Sequence, residues 1–171
     1  MDWLFHIAIA LAVGFLIITF VAQVTKVNGE SMEGTLYNND RLIIEKISPR
    51  FGKINRGDIV TIDVSGIGSF QNSPIIKRVI GLEGDLVEVR DGKVYVNNIS
   101  IDEKYISGEI TYVNEKYSKV EVPDGFIYVM GDNRNEGKSN DSRFAGPIEL
   151  KRVGGKAVIR LLPLNRIGFL D

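Results

Sequence analysis

The N-terminal stretch of the chain is apolar almost without interruption. Residues 4–22 read LFHIAIALAVGFLIITFVA, in which only His6, Gly14 and Thr19 break the run of aliphatic and phenylalanine residues. At about 1.5 Å per helical residue, the run is roughly 28 Å long, close to the ~30 Å hydrocarbon thickness of a bilayer. The pattern predicts one transmembrane helix over residues 4–22, preceded by a short tail of residues 1–3.

A buried core helix and a cleavable secretory signal are the alternatives for this run. A secretory signal starts with basic residues and ends at a cleavage site made of small residues. This chain starts with Met1-Asp2-Trp3, and the run closes on Phe20-Val21-Ala22. An uncleaved anchor fits better. Charge bias leaves its orientation open, because the nearest basic residue is Lys26 on the C-terminal side.

Residues 23–171 predict a single, mainly β domain. Apolar and polar positions alternate over residues 59–64, and residues 126–130 and 157–162 are further β-rich runs bounded by turn residues. Residues 86–97 form a hairpin pattern around an Asp-Gly turn. A smaller hairpin region, rich in Tyr, Ser, Asn and charge, is inserted around residues 91–122.

Composition narrows the chemistry of this domain. The chain has 171 residues, 44% hydrophobic and 25% charged, and its net charge of -1 does not suggest a nucleic-acid surface. It has no cysteine, and its one histidine, His6, lies in the apolar run. A thiolate nucleophile, a Ser-His-Asp triad and a His-ligated catalytic zinc are therefore excluded from the polar domain. We expect no cofactor and no metal, and a hydrolase would need another base.

A neutral lysine can serve as that base where desolvation depresses its pKa. Lys77 lies in the apolar sequence PIIKRVI over residues 74–80, and a strand there would put Ile75, Lys77 and Val79 on one face. The alternative for Lys77 is a charge on an edge strand that blocks aggregation.

Ser31 is the candidate nucleophile. Gly29, two residues before it, allows a ligand to approach the backbone closely, and the N–H of Ser31 could contribute to an oxyanion hole. Because nine residues separate Ser31 from Ala22, even an extended chain keeps Ser31 within about 30 Å of the membrane.

Four motifs in series, after the apolar run, resemble those of bacterial type I signal peptidases. They are GESMEGTL at residues 29–36, RGDIV at 56–60, KRVIGLEGD at 77–85, and GDNR at 131–134 followed by SNDSR at 139–143. The resemblance covers nearly the whole chain in the right order.

The resemblance implies a role for each matched residue. Ser31 would be the nucleophile and Lys77 the general base, with Ser139 hydrogen-bonded to the lysine amine. Asp141 and Arg143 would form a supporting ion pair, for which an ordinary surface salt bridge is the alternative. Small substrate residues at positions -1 and -3 would bind beside Gly29 in shallow pockets. Carried over by position, these pockets are lined by Val27, Met32, Leu36, Ile75 and Ile76, which could otherwise be core residues.

The same resemblance implies a function. It is that of a single-pass serine endopeptidase of the cell membrane, with an extracytoplasmic catalytic domain of signal-peptidase-like β fold. It would remove signal peptides from secreted preproteins after an Ala-x-Ala-like site. Its partners would be those signal peptides and membrane lipid, with no nucleic acid and no metal. A catalytically silent anchored β-domain that assists surface-protein or pilus assembly is the alternative.

Three positions depart from the family pattern. Gly34 stands where proline is usual, so we expect a looser turn after Ser31. Glu83 also replaces a common proline, and the segment from Gly131 to Ser139 is longer than usual, which bears on the role of Ser139. Gly34 and the longer segment are the features that favour the silent alternative.

Overall fold

The computed structural model describes residues 2–68, 70, 74–108, 110–112 and 115–170. Strands dominate this part of the chain, which confirms the mainly β prediction. The helices are α1 (Asp2–Phe20), α2 (Ile47–Arg50) and α3 (Ser142–Ala145). The strands are β1 (Ala22–Lys26), β2 (Arg41–Glu45), β3 (Ile59–Ile62), β4 (Ile75–Gly81), β5 (Leu86–Arg90), β6 (Lys93–Val96), β7 (Ile99–Ser100), β8 (Lys119–Glu121), β9 (Phe126–Met130), β10 (Ile148–Glu149), β11 (Val153–Leu162) and β12 (Gly168–Phe169).

Helix α1 is the predicted apolar segment, shifted by two residues. Its residues 3–20 are long and apolar enough to cross a membrane, and none is buried against the rest of the protein. The predicted range of 4–22 and the tail of residues 1–3 need correction, because α1 includes Trp3 and ends at Phe20. Met1 lies outside the described residues. The helix ends early because Ala22 already pairs with Glu45 in the β1–β2 ladder, an interaction that the apolar run does not reveal.

The larger sheet places strands side by side that are distant in sequence. Within the described residues its order is β1-β2-β11-β3-β4-β9-β10, with β12 also paired to β11. Strand β11 thus joins β2 on one side to β3 on the other. Strand β4 lies inside the sheet between β3 and β9. Strand β3 is shorter than the predicted range of 59–64, and all four of its residues are buried.

The smaller sheet has the order β7-β6-β5-β8. Asp91 and Gly92 connect β5 to β6 with φ angles of 50° and 71°, as the predicted Asp-Gly hairpin requires. The smaller unit begins earlier than residue 91, because β5 pairs with β6 and β8 rather than with the larger sheet. One apolar cluster, which includes Ile80, Val87 and Tyr128, packs this sheet against the larger one.

Strands β2 and β11 approach each other closely at Gly155. A Cβ atom on Gly155 would overlap Ile44 Cγ2 and come within 2.7 Å of the Glu45 carbonyl oxygen. The neighbouring Gly154 has open space by comparison, since its nearest contact would be Thr61 Oγ1 at 3.5 Å. Gly155 is therefore the position in β11 at which a side chain would separate the strands.

We expect Gly155→Ala to lower the free energy of unfolding by roughly 1–3 kcal/mol, the usual cost of overpacking. Gly154→Ala is the matched control and should change stability by less than about 0.5 kcal/mol. Chemical unfolding of both variants in one detergent measures the difference. Equal effects at the two positions would contradict this account of strand packing.

Candidate active site

The segment that presents Ser31 is fixed to the core on both sides of the serine. The Val27 N–H donates to the Asp40 carbonyl, and the Val27 carbonyl accepts from the Asn39 N–H. Further along, the Leu36 N–H donates to the Met32 carbonyl at 2.7 Å. The side chains of Val27, Met32 and Leu36 are all buried in one apolar cluster. The turn therefore holds Ser31 at the surface while its apolar neighbours point into the protein.

Lys77 reaches this serine from the middle of the larger sheet. Its Nζ atom donates a hydrogen bond to Ser31 Oγ at 2.6 Å and another to the Ile76 carbonyl at 2.9 Å. Strand β4 has neighbours on both sides, and Lys77 is only 3% exposed. The edge-strand alternative for Lys77 is therefore wrong.

Burial determines the protonation behaviour of Lys77. Desolvation lowers the pKa of its amine from 10.5 to about 8. The Asp141 and Asp132 carboxylates act to raise this pKa, and the Arg143 guanidinium acts to lower it. Because desolvation is the largest contribution, a substantial fraction of Lys77 is neutral in mildly alkaline solution.

Asp141 and Arg143 form the predicted ion pair, and it is buried. Arg143 Nη2 lies 2.7 Å from Asp141 Oδ2, and Arg143 Nε donates to Asp141 Oδ1 at 2.8 Å. The Gly131 N–H also donates to Asp141 Oδ2, at 2.9 Å. Burial acts to raise the pKa of Asp141, but Arg143 and these donors hold it below its ordinary value. An ordinary surface salt bridge is thus excluded.

Ser139 contacts a different partner from the one predicted. Its hydroxyl donates to Asp141 Oδ2 at 2.6 Å. The hydrogen bonds of Lys77 within the described residues go to Ser31 and Ile76, so the expected bond between Ser139 and the lysine amine is not formed. The one hydroxyl proton of Ser139 goes to the Asp141 carboxylate, which is the stronger acceptor beside it.

The segment that carries Ser31 and the beginning of β4 flank an open cleft with a volume of about 910 Å³. Ser31 and Lys77 both line this cleft. The predicted pocket residues Val27, Gly29, Met32, Ile75 and Ile76 line it as well. Leu36 does not, and the prediction for it is corrected: its side chain is completely buried in the core below the turn.

Sequence reasoning missed two further buried ion pairs behind Ser31 and Lys77. Arg78 donates to both carboxylate oxygens of Asp132, at 3.0 and 2.9 Å, and Arg134 pairs with Glu103. The Arg78 guanidinium also lies 3.9 Å from the centre of the Tyr105 ring. The sequence did contain an indication of the first pair. Arg78 follows Lys77 in an apolar strand, and a buried arginine needs a charged partner.

Gly34 is tightly packed, so the expectation of a looser turn is wrong. Its φ angle is 110°, which proline cannot adopt. A Cβ atom here would overlap the Tyr105 carbonyl oxygen and lie 3.2 Å from the Ser107 nitrogen. The segment of residues 103–108, which we call the strap, therefore lies directly against the turn that carries Ser31.

The longer segment before Ser139 turns away at the rim of the cleft. Gly137 has a φ angle of 72°, and Lys138 Nζ lies 2.9 Å from Glu30 Oε2 in an exposed ion pair. Both Glu30 and Lys138 line the cleft. Among the described residues, no group of three His, Asp or Glu side chains is placed to hold a metal ion.

Comparison with known proteins shows which family the chain belongs to. Residues 1–162 match the family model described as signal peptidase, peptidase S26. The chain is 44% identical over 165 residues to a probable signal peptidase I-2 of Synechocystis sp., covering 95% of this chain and 72% of that protein. It is 38% identical to a signal peptidase I of Bacillus licheniformis, covering 99% of this chain and 92% of that protein.

The chain therefore belongs to the signal peptidase family S26, a family of hydrolases that act in protein secretion. A crystal structure of a signal peptidase I from Enterococcus faecalis V583 aligns with 61% of this chain and 96% of its own, at 30% identity and a TM-score of 0.47.

We expect the peptidase activity to rise with pH. A neutral amine is needed to accept a proton, so kcat/KM should increase through a pKa of about 8 and level off above it. Stopped-time hydrolysis assays across this range, with circular dichroism to confirm folding, give the profile.

Lys138→Met is the control for this profile, because the pKa of Lys138 is raised by Glu30 and not lowered. The variant should keep the inflection near that of the parent protein. A flat profile, or an inflection that disappears in Lys138→Met, would show that Lys77 is not the titrating group.

Gly34→Pro should destabilise the protein, although it restores the residue common in the family. Proline has φ near -65° and its ring atoms would collide with the strap, so we expect a loss of at least about 2 kcal/mol. Gly52→Ala is the control, because Gly52 has a φ angle of 67° with open space around it. Thermal unfolding in detergent compares them, and wild-type stability for Gly34→Pro would refute the packing argument.

Proposed function

We propose that the protein is a single-pass membrane serine endopeptidase that removes signal peptides from exported preproteins with a Ser31/Lys77 dyad. The observation that carries this proposal is the 2.6 Å distance between Lys77 Nζ and Ser31 Oγ, with the amine buried and its pKa lowered to about 8. Acyl transfer through a serine requires a nucleophile and a base within hydrogen-bond distance of each other.

The reaction follows from this geometry. Neutral Lys77 accepts the hydroxyl proton as Ser31 Oγ attacks the scissile carbonyl carbon, and the N–H of Ser31 stabilises the oxyanion. The lysine ammonium then protonates the leaving amine, and the C–N bond breaks to give an ester on Ser31. Lys77, neutral again, takes a proton from a water molecule as its oxygen attacks the ester carbonyl carbon. The lysine ammonium then protonates Ser31 Oγ as the acyl C–O bond breaks, which releases the carboxyl product and restores Ser31 and neutral Lys77.

Asp141, Arg143 and Ser139 act as positioning residues behind the dyad. An isolated Asp141 carboxylate would favour the charged form of Lys77 and so oppose catalysis. Arg143 neutralises that carboxylate at 2.7 Å, and Ser139 binds its Oδ2 atom. These three residues therefore hold the wall of the site in place, and desolvation remains the largest influence on the pKa of Lys77.

The cleft suits an extended peptide with small side chains. It runs between β1 and the first residues of β4, Ile75–Lys77, which pair with β3 whereas the ladder with β9 begins at Arg78. A substrate strand between β1 and this part of β4 would hydrogen-bond to both backbones. Met32 is buried under the nucleophile and makes the floor shallow, while Ile75 and Ile76 form an apolar wall. Small residues at positions -1 and -3, as in an Ala-x-Ala site, fit this shape.

Helix α1 supplies the membrane anchor in this proposal, with the catalytic domain on the extracytoplasmic side. The helix is apolar over 18 residues with no buried surface, and Ser31 follows its end by eleven residues. A signal peptide held in the bilayer would thus present its cleavage segment close to the dyad.

The silent assembly domain is the competing function. Its support came from Gly34 and the longer segment before Ser139. Gly34 fits the strap closely, and the longer segment turns outward at Gly137, so neither displaces Ser31 from Lys77. The geometry therefore favours the enzyme.

Cleavage of a preprotein-derived peptide with an Ala-x-Ala site tests the proposal. Ser31→Ala and Lys77→Met should each lower kcat/KM by roughly 10³-fold or more, since the pair acts as a unit. Ser100→Ala and Lys93→Met are matched controls on the exposed small sheet and should retain full activity.

Two outcomes would contradict the proposal. One is wild-type protein without turnover in lipid vesicles, which favours the silent domain. The other is activity that survives in Lys77→Met, which removes the dyad. Replacement of the -1 alanine by tryptophan should abolish cleavage if the shallow pocket sets the specificity.

A further inference from the structure

Ser31 lies in a loop whose two ends are bonded to each other. The loop, residues 27–40, connects β1 to β2, and we call it the nucleophile loop. At its base the Val27 N–H donates to the Asp40 carbonyl at 2.8 Å, and the Asn39 N–H donates to the Val27 carbonyl at 2.9 Å. These bonds fix the ends of the loop, so the place of Ser31 within it depends on further contacts.

Thr35, four residues after Ser31, receives hydrogen bonds from two arginines on different strands. Arg160, on β11, donates through Nη1 to the Thr35 carbonyl at 2.7 Å. Arg78, which follows Lys77 on β4, donates through Nη2 to Thr35 Oγ1 at 3.2 Å. Thr35 is therefore the point at which the nucleophile loop is joined both to β11 and to the strand that carries Lys77.

A buried carboxylate holds the Arg160 guanidinium in place. Asp40 is 1% exposed, and its Oδ2 atom lies 3.4 Å from Arg160 Nη1 and accepts the Tyr37 N–H at 3.0 Å. Its Oδ1 atom accepts from Arg166 Nη2 at 3.0 Å, and Arg160 Nε donates to the Arg166 carbonyl at 2.7 Å. Because a planar guanidinium bound on two sides has a fixed orientation, Arg160 presents a rigid donor to Thr35.

The other side of Ser31 has an attachment of its own. The Asn133 N–H donates to the Ser31 carbonyl at 3.1 Å, and Asn133 Nδ2 donates to the Glu30 carbonyl at 3.1 Å. Ser31 is thus held between Asn133 and the arginines at Thr35. A misplacement of about 1 Å can lower the rate of an enzyme by roughly 10²-fold. Loss of the attachment at Thr35 should therefore slow the reaction even where the fold is retained.

We propose that Arg160 and Thr35 are positioning residues that set Ser31 Oγ against Lys77 Nζ. Neither residue lines the cleft, and neither transfers a proton in the reaction. Arg160 also lies outside the four sequence motifs. This inference rests on the Ser31/Lys77 dyad of the proposed function, and it adds β11 to the elements that determine the geometry of that dyad.

Arg160→Gln tests the proposal, because it removes the donor to Thr35 and keeps a polar side chain. We expect kcat for the Ala-x-Ala peptide to fall by roughly 10²-fold, with KM within about twofold of the parent value. Arg152→Gln is the matched control and should keep the parent kcat. Arg152 likewise donates to loop carbonyls, those of Asp63 and Ser65 at 3.2 and 3.1 Å, but that loop does not carry the nucleophile.

The pH profile of kcat separates positioning from a general loosening of the sheet. Lys77 is buried because β4 lies between β3 and β9, and Arg160→Gln leaves that arrangement in place. We expect a lower plateau with the inflection still near the parent value. Loosening of the sheet would hydrate Lys77 and move its pKa from about 8 toward 10.5. An inflection displaced in that direction overturns the proposal.

Two further variants test the same contacts more mildly. Arg160→Lys keeps a cation that can reach the Thr35 carbonyl but lacks the second arm for Asp40, so it should lower kcat less than Arg160→Gln does. Thr35→Val removes only the hydroxyl bonded to Arg78, and it keeps the proposal testable should Arg160→Gln not fold. We expect it to lower kcat by about tenfold at the parent KM. Circular dichroism sets the assay temperature below the unfolding transition of every variant.

The outcomes separate this proposal from the function on which it rests. The parent kcat in both Arg160→Gln and Thr35→Val, in a protein that Ser31→Ala inactivates, overturns the positioning role and leaves the dyad intact. Full activity in Ser31→Ala overturns the dyad itself. A raised KM with the parent kcat in Arg160→Gln also overturns the proposal, because it would assign Arg160 to substrate binding.

Discussion

The cost of keeping an amine out of water is the constraint on which this structure depends. Lys77 can be uncharged near neutral pH only because the sheet buries it, and the surrounding charges are arranged so that they do not reverse this effect. In the described part of the chain, Asp132, Asp141 and Glu103 are each paired with an arginine, whereas Lys77 bonds only to a hydroxyl and a carbonyl. Each buried carboxylate is thereby neutralised by a group that cannot lose its proton, and the lysine is left as the group that titrates.

The smaller sheet contributes to the site through the strap rather than through its strands. Glu103 pairs with Arg134, Tyr105 covers Arg78, and the strap backbone lies against Gly34. These contacts connect the smaller sheet to three separate segments of the site: the turn after Ser31, strand β4 and the loop after β9. The strap therefore acts as a support for the site, and its close approach explains why a glycine stands at position 34.

Short-range patterns in the sequence predicted the parts of the structure that depend on local interactions. The apolar run predicted α1, the Asp-Gly turn predicted the β5–β6 hairpin, and the apolar neighbours of Lys77 made it a candidate for a buried lysine. The errors concern contacts between distant residues. The end of α1 is set by pairing with β2, the partner of Ser139 by a carboxylate two residues further on, and the burial of Leu36 by the cluster beneath the turn. The constraint on Gly34 arises from a strap about seventy residues away, which no turn propensity could indicate.

The position of β11 has a consequence for the biosynthesis of the protein. Without β11, the larger sheet would separate into a β1–β2 ribbon next to Ser31 and a second ribbon that carries Lys77 on β4. The loop that bonds to the Ser31 carbonyl, through the N–H of Asn133, also belongs to the last third of the chain. Because β11 spans Val153–Leu162, Ser31 and Lys77 come together only when nearly the whole polypeptide has been synthesised.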